Sequence, residues 1–463
     1  MANSYLYRTN GTPTHANKGT VSHWVKRSGL GASTEFGSFG AWENGVNSTR
    51  SHCNWYDDTI YFYSQQHSMV LQTNRKFRDV NSWYHTVIAW DTTQSTASDR
   101  VKIYINGVQE TSFSTENYPA QNSVLEYNVS GRRFGVGCLA QSNGSASAFW
   151  DGYISHFAFV DGLQLTPTSF GETDSTSGIW KFKNPTGVTW GTNGFHLKFE
   201  NSGAMGTDSS GNTNTFTVNG SLKQALDTPS NVYCTMNPLQ EPDSGQAAGF
   251  SFGNTKVVGN WSHWQRVFGT IGATQGKWFY EFKNLQDDGS VGHSRIGWDS
   301  IDNINMTSSG QTSYYSGLTL DREGKLRGGI SGHSNYDPNA VQMTAISGGN
   351  FGYTANDILG MAIDLDNETF SVYKNGTLEI NAYSYAGLSN NSISKSRGFF
   401  IAPSWNWYST SGNNNRSCFN FGNGHFESTA ITSAGSNGNG SLFEYDVPSG
   451  YYAWNTKNIN TYG

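Results

Sequence analysis

Charged residues are scarce in this sequence, and their scarcity excludes two classes of protein. They make up 14% of the 463 residues and hydrophobic residues make up 35%, both below the roughly 25% and 45% of ordinary globular chains. The net charge is −6, and no basic run is longer than a pair such as Lys26-Arg27 or Arg132-Arg133. A nucleic-acid-binding protein needs a basic stripe to displace counterions, so we expect no nucleic acid partner. Low charge combined with many aromatic residues also argues against a disordered chain.

Long apolar segments and cysteine motifs are missing as well. No run of about eighteen apolar residues occurs, and residues 1–20 have no apolar centre, so we expect neither a membrane span nor a secretion signal. The cysteines are widely spaced and no C-x-x-C or H-E-x-x-H motif accompanies them. A chain of this length can bury a sufficient core without disulfides, so we expect buried thiols at Cys53, Cys138, Cys234 and Cys418.

Aromatic residues and turn formers are abundant. The chain contains 15 Trp, 24 Tyr and 27 Phe, together with 54 Gly and 10 Pro, which favours an aromatic core and many turns over helices. Residues 83–90 alternate in polarity and predict a half-buried strand. The pairs Asn106-Gly107 and Asn375-Gly376 are typical of type I′ hairpin turns. No segment has helical periodicity beyond one turn, so the sequence predicts an all-β chain of two antiparallel β-sandwiches.

The domain boundary is predicted from a loss of alternation. Residues 227–248 alternate poorly and hold three of the ten prolines. We therefore predict a first sandwich, a linker, a second sandwich and a C-terminal tail over residues 1–226, 227–248, 249–445 and 446–463. The aromatic segments 5–7 and 451–454 are predicted either to dock onto a neighbouring molecule or to close the edges of their own sandwiches.

Both halves of the chain resemble known β-sandwich families. The first is similar to laminin-G-like and concanavalin-A-like jelly rolls in residues 83–85, 101–107 and 151–162. The second resembles SPRY domains in five ordered segments, which are residues 276–281, 294–298, 357–366, 370–376 and 419–422. These resemblances imply two antiparallel sandwiches joined end to end.

The combined arrangement, with residues 1–6 and 170–180, resembles structural proteins of marine tailed bacteriophages. The resemblance implies a non-enzymatic virion-surface protein, a fibre or appendage subunit made in the host cytoplasm and released by lysis. Its implied partners are other virion proteins, further copies of itself in a homo-oligomer such as a trimer, and a host-surface glycan. A capsid-decorating protein without a receptor role and a polysaccharide depolymerase remain the alternatives.

The predicted ligand-binding residues lie in one aromatic and amide-rich loop. They are Trp405, Trp407, Tyr408 and Asn413, which follow a predicted strand and offer ring faces beside polar groups. An equally weighted alternative is that both tryptophans share one face of the strand and continue into the core.

Acidic residues give weaker signals. Asp364, Asp366 and Glu368 have the spacing of a glycosidase carboxylate set, but we interpret this segment as a turn. Oxygen ligands for Ca²⁺ are available from Asp57, Asp58, Asp99, Asp151 or Asp161, but they lack a calcium-loop spacing. We therefore predict no catalytic residue and no cofactor, and leave Ca²⁺ open.

Overall fold

The computed structural model describes most of the chain and divides it into two compact units. The described residues are 4–31, 34–43, 45–239, 248–259, 265–286, 294–300, 317–327, 341–386, 393, 400–407, 416–431 and 435–463. The first unit consists of residues 1–224 and 228–230, and the second of residues 225–227 and 231–463.

The first unit is built from eighteen described strands. They are β1 Tyr5–Thr9, β2 Lys18–Arg27, β3 Glu35–Trp42, β4 Ser51–Tyr56, β5 Thr59–Ser64, β6 Met69–Thr73, β7 Trp83–Asp91, β8 Val101–Ile105, β9 Val108–Gln109, β10 Phe113–Asn117, β11 Arg133–Val136, β12 Leu139–Gln141, β13 Ala146–Ser147, β14 Gly152–Asp161, β15 Gly171–Thr173, β16 Trp180–Phe182, β17 Phe195–Leu197 and β18 Thr217–Asn219. One four-residue helix, α1, spans Ala97–Arg100.

Two large sheets of the first unit enclose an aromatic core. A ten-stranded sheet has the order β10-β6-β5-β4-β3-β11-β1-β18, with β12 and β13 attached beside β3. A six-stranded sheet has the order β17-β14-β2-β7-β8-β9. Between them pack the rings of Phe39, Phe62, Tyr127 and Phe134, whose neighbouring centroids lie 5.2–6.3 Å apart. The predicted aromatic core is confirmed for this unit.

A third layer covers the other side of the six-stranded sheet. The hairpin of β15 and β16 places Trp180 over β7, where its ring stacks on His85 with centroids 6.0 Å apart. All nine residues of β7 are therefore buried, so the prediction of a half-buried strand was wrong for this segment. The polar residue at its centre, His85, is buried with hydrogen-bond partners and does not face water.

The second unit contains sixteen described strands and a C-terminal helix. They are β19 Gly249–Ser251, β20 Lys256–Val258, β21 Gln265–Phe268, β22 Lys277–Gln286, β23 Ser294–Ser300, β24 Leu318–Asp321, β25 Lys325–Arg327, β26 Val341–Gln342, β27 Ile358–Asp364, β28 Thr369–Lys374, β29 Thr377–Ser384, β30 Ile401–Trp407, β31 Arg416–Asn420, β32 His425–Phe426, β33 Thr429–Ala430, β34 Tyr452–Ala453 and α2 Thr456–Tyr462.

Two antiparallel sheets also form the second unit. The larger has the order β19-β20-β31-β22-β27-β28-β29, and the smaller has the order β21-β30-β23-β24-β25-β26. Trp278, Trp298 and Trp405 are buried between them. The predicted all-β class is thus confirmed in both units, and no described helix is long and apolar enough to cross a membrane.

Both predicted type I′ hairpins are present. Asn106 and Gly107 have φ angles of 49° and 82° and join β8 to β9. Asn375 and Gly376 have φ angles of 49° and 81° and join β28 to β29. Positive φ at both central positions is the conformation that Asn-Gly tolerates best, so local chemistry determines these turns.

The aromatic segment near the N-terminus pairs within the first unit, and the aromatic segment near the C-terminus pairs within the second unit. Tyr5 to Tyr7 lie in β1, which pairs with β11 and β18. Tyr452 and Ala453 form β34 and pair with β22, while Trp454 is fully buried in the core. The segments predicted as linker and tail also contribute to the second unit, since the Cys234 amide donates to the Trp454 carbonyl at 2.8 Å. The helix α2 that follows was not predicted; the Asn455 side chain caps it by accepting from the Asn458 amide.

Candidate functional site

Of the four predicted ligand-binding residues, the structure describes the side chain of Trp405 alone. Trp405 is fully buried in the second core, and its Nε1 donates to Ser417 Oγ at 3.1 Å. A ring with no exposed surface cannot stack on a ligand, so the assignment of Trp405 as a ligand contact is corrected to a core residue. The Trp407 side chain, Tyr408 and Asn413 lie outside the described residues, and their predicted role stays a prediction.

The aspartates considered for Ca²⁺ have other partners. Asp58 pairs with Arg27 at 3.0 Å and with Arg78 at 2.8 Å, and Asp99 pairs with Lys102 at 3.0 Å. Within the described ranges, no three acidic, histidine or cysteine side chains converge as metal ligands.

Of the remaining aspartates of that set, Asp57 pairs with Lys76 at 3.3 Å, and Asp161 is held by backbone and side-chain groups of the fold. Asp161 accepts from the amides of Thr14 and Asn193 at 2.7 and 3.0 Å and from Asn128 Nδ2 at 2.6 Å. Burial raises the pKa of Asp151. The oxygen atoms of Asp161 are therefore already occupied by hydrogen-bond donors that fix neighbouring loops.

Ser22 and His85 of the first unit are in contact, and their hydrogen bonds indicate a structural role for the pair. His85 Nε2 lies 2.8 Å from Ser22 Oγ, and Trp180 Nε1 donates to His85 Nδ1 at 2.9 Å. Because Nδ1 accepts from Trp180, the neutral ring carries its proton on Nε2 and cannot take one from Ser22. Burial lowers the pKa of His85 to about 3, which keeps the ring neutral. This geometry opposes activation of Ser22 as a nucleophile.

The acidic segment considered for glycoside hydrolysis forms the turn between β27 and β28. Asp364 accepts from the amides of Asp366 and Asn367 at 3.1 and 3.0 Å and from Lys277 Nζ at 3.0 Å. Asp364 is buried and Asp366 is exposed, so the two carboxylates do not form a pair across a groove. Their interactions stabilise the turn, as predicted from the sequence.

A polar aromatic surface lies on the outward side of the ten-stranded sheet. We call it the tyrosine face; it consists of His52, Asn54, Tyr56, Tyr61 and Tyr63. The register pairs His52 with Tyr63 and Asn54 with Tyr61 across β4 and β5. Alternation along the strands sends Cys53, Trp55, Ile60 and Phe62 into the core and leaves the five polar residues on the opposite side.

The three tyrosine rings form a continuous row. The ring centroids of Tyr56 and Tyr61 lie 6.3 Å apart, and those of Tyr61 and Tyr63 lie 5.6 Å apart with planes 26° from parallel. All three side chains are half-buried. Gln72 on β6 lies opposite Tyr61 in register and extends the polar surface. A row of rings with amides beside it suits a ligand that has both apolar faces and hydroxyl groups.

Two buried polar side chains lie within this row. His52 and Asn54 are 1% and 0% exposed, and Asn54 Nδ2 lies 3.4 Å from His52 Nε2. His52 Nδ1 and Asn54 Oδ1 have no hydrogen-bond partner among the described residues. Burial lowers the pKa of His52 to about 3, and Arg50 adds to this effect. Unpaired buried polar atoms are costly, and they are often associated with function.

Charge on the tyrosine face is balanced. Arg50 Nη2 lies 2.5 Å from Glu35 Oε2, and their side chains are 31% and 37% exposed. Each of these two groups neutralises the charge of the other beside the tyrosine face.

A second hairpin borders the tyrosine face. A Cβ atom on Gly40 would lie 2.8 Å from Leu139 Cδ1, and one on Gly37 would lie 2.6 Å from the Ala148 carbonyl oxygen. Gly40 is opposite His52 in register, and Gly37 is opposite Asn54. The two glycines therefore let the β12–β13 hairpin pack against the sheet beside the buried polar pair.

The tyrosine face was not predicted from the sequence, although a signal for it exists. Residues 52–56 alternate polar and apolar, and residues 61–63 place two tyrosines on one side of the same hairpin. Because the opposite side also carries aromatic residues, Trp55 and Phe62, the pattern does not reveal which side faces the core.

Comparison with known proteins agrees with the sandwich of the first unit. Residues 2–169 match the family described as the concanavalin A-like lectin/glucanases superfamily. This match and the two-sheet topology define the first unit as a lectin-like β-sandwich. No curated protein matches the chain in sequence.

Two solved structures show more distant likeness. The SPRY domain of human HERC1 has 16% identity and a TM-score of 0.28, covering 40% of this chain and 96% of its own. A heptameric SAP-like pentraxin from Limulus polyphemus has 17% identity and a TM-score of 0.28, covering 36% of this chain and 72% of its own. Scores this low carry no argument, so the fold of each unit rests on its strand order.

Proposed function

We propose that this chain is a non-enzymatic binding protein whose first unit holds a glycan on the tyrosine face. The observation that carries the proposal is the row of half-buried rings of Tyr56, Tyr61 and Tyr63 on one side of the β4–β5 hairpin. Sugar rings offer C–H faces that stack on aromatic rings and hydroxyl groups that bond to amides. The lectin-like fold of this unit supports the same class of ligand.

The balanced charge of the face favours a neutral glycan. The Arg50–Glu35 pair leaves no free cation to attract a uronic acid or sulfate group. The row also runs along adjacent strands, which fits an extended saccharide chain better than a single sugar.

The proposed setting is the surface of a bacteriophage virion, as a fibre or appendage subunit that contacts other virion proteins. It is supported by the resemblance of residues 1–6, 170–180 and the two-sandwich arrangement to phage structural proteins. A homo-oligomer such as a trimer would convert weak binding of each glycan into avidity. A capsid-decorating protein without a glycan ligand and a polysaccharide depolymerase are the alternative outcomes.

Binding is tested with the full chain on an array of neutral and acidic bacterial polysaccharides, followed by calorimetry with the best-bound glycan. Tyr61→Ala is expected to weaken binding at least tenfold, because a central contact commonly contributes more than about 1.4 kcal/mol. Tyr104→Ala is the matched control, since Tyr104 lies half-buried on β8 of the other sheet. Equal affinity of the native and Tyr61→Ala chains would contradict the proposed site.

Two further measurements separate the alternatives. Release of reducing ends from the bound glycan would identify a depolymerase and contradict the non-enzymatic proposal. Electron cryomicroscopy of purified particles is expected to show copies of this chain on a fibre or appendage; copies only on the capsid shell would favour the decorating protein.

A further inference from the structure

One arginine on the outward side of the ten-stranded sheet lies on an aromatic ring. Arg133 begins β11, and its guanidinium carbon lies 4.2 Å from the centre of the Tyr7 ring on β1. Gly135 lies opposite Tyr7 in register and carries no side chain, which leaves room for the Arg133 side chain over the ring. Both Arg133 and Tyr7 are half-buried, so the stacked pair remains partly open to solvent.

The hydrogen bonds of Arg133 differ from those of the other arginines in the first unit. The other seven donate to carboxylates, amide oxygens or backbone carbonyls. No hydrogen bond or ion pair joins Arg133 to any described residue. Arg75 shows the contrast, because its guanidinium carbon lies 5.1 Å from the centre of the Phe77 ring while its Nη1 pairs with Glu110 at 3.0 Å. Arg133 has the ring but lacks the carboxylate.

The turn between β12 and β13 holds this arginine from a second side. Tyr5 Oη donates to the Gly144 carbonyl at 3.3 Å, which ties the turn to β1. A Cβ atom on Gly144 would lie 3.3 Å from Arg133 Nη1, so the guanidinium packs closely against the turn. A guanidinium held between a ring and a turn needs little reordering to bind an anion. Its N–H groups form a planar fork that matches the two oxygens of a carboxylate.

The exposed side chains around Arg133 are polar and uncharged. Thr9 lies opposite Arg133 in register, and Thr217 lies on the next strand, β18. Asn143 and Ser145 belong to the turn that contacts the guanidinium. All four are exposed. An acidic sugar carries its carboxylate beside ring hydroxyl groups, so a cation among hydroxyl and amide groups suits it, whereas a protein partner would need an apolar centre.

We propose that Arg133 and Tyr7 form a binding site for the carboxylate of an acidic sugar, separate from the tyrosine face. Two N–H groups of Arg133 donate to the carboxylate oxygens, the Tyr7 ring supports the guanidinium, and the polar side chains around it bond to the sugar hydroxyl groups. In the sheet order, β3 separates β11 from β4 and β5, which carry the tyrosine face. An acidic sugar at Arg133 and a neutral glycan on the tyrosine face are therefore independent ligands.

Calorimetric titration of the full chain with two matched saccharides tests the site. The probes are an oligosaccharide of glucuronic acid and its carboxyl-reduced counterpart, which has glucose at the same positions. The acidic probe is expected to bind at least tenfold more tightly. Arg133→Gln should weaken its binding by about 10–100-fold, because hydrogen bonds to a charged group are lost. Arg133→Lys keeps the charge but loses the fork, so it should recover only part of the affinity.

Arg75→Gln is the matched control, since it removes the same charge from an arginine that already has a carboxylate partner. It should bind the acidic probe as the native chain does. Tyr61→Ala, which alters the tyrosine face, should also leave this binding unchanged, so the two proposed sites fail separately.

Four results would each overturn the proposal at Arg133. The native chain could bind both probes equally, or bind neither of them. Arg133→Gln could bind the acidic probe with native affinity. A glutamate peptide of the same charge could bind more tightly than the acidic probe, which would indicate a protein partner. The comparison of the two saccharides decides the outcome even if Arg133→Gln does not fold.

Discussion

Replacing Trp405 tests whether this residue stabilises the second unit instead of contacting a ligand. The side chain is 0% exposed and donates to Ser417 Oγ. Truncation of a fully buried tryptophan to alanine costs about 3–5 kcal/mol because it leaves a cavity. Loss of the hydrogen bond adds about 1 kcal/mol. Trp405→Ala is therefore expected to lower the free energy of unfolding of the second unit by about 4–6 kcal/mol.

The measurement is urea unfolding of the full chain, followed by far-UV circular dichroism, with hydrogen exchange to assign each transition to a unit. Trp405→Phe serves as the graded control: it keeps most of the ring, loses the Nε1 donor, and should cost about 1–3 kcal/mol. Both variants should leave the unfolding of the first unit unchanged. A loss below about 1 kcal/mol for Trp405→Ala would refute the buried placement, because that is within the ordinary range of surface substitutions.

Four further predictions follow from single residues of the two units. Trp180→Phe removes the donor to His85 and should destabilise the first unit by about 1–3 kcal/mol in urea unfolding. The His85 ring, whose pKa is lowered to about 3, should stay neutral at pH 5 in a histidine NMR titration; because the unfolded ring binds a proton near pH 6.5, stability should fall as the pH drops from about 6.5 towards 3. Gly376→Ala should lower the melting temperature of the second unit, because a Cβ there would lie 2.6 Å from the Tyr445 ring at a positive φ. Burial raises the pKa of the Cys53 thiol to about 12, so iodoacetamide should label it only after unfolding.

The elements that could be predicted from sequence are those fixed by local chemistry. The hairpin turns form at Asn106-Gly107 and Asn375-Gly376 because these residues accept positive φ, whatever the position of the flanking strands in the fold. The all-β class follows from short alternating segments separated by glycine-rich turns. Neither the turn prediction nor the all-β prediction depends on which strands pair with each other.

The elements that could not be predicted depend on distant contacts. The sequence predicts that Trp405 is an aromatic residue of a loop. In the structure it is buried in the second core, and its Nε1 donates to Ser417. The side of a strand that faces the core is equally ambiguous where both sides are aromatic, as at Trp55 and Tyr56. Trp454 joins the second core through the pairing of β34 with β22, a contact between residues far apart in sequence.

That last pairing has a consequence for synthesis of the protein. The first unit has all its strands once Asn219 has been added, so it can fold while translation continues. The second unit adds the strand β22 from Lys277 onward but obtains Tyr452 and the core ring of Trp454 only much later. During that interval β22 lacks its β34 partner at Trp278 and Phe279, so the second core is complete only after Trp454 has been added.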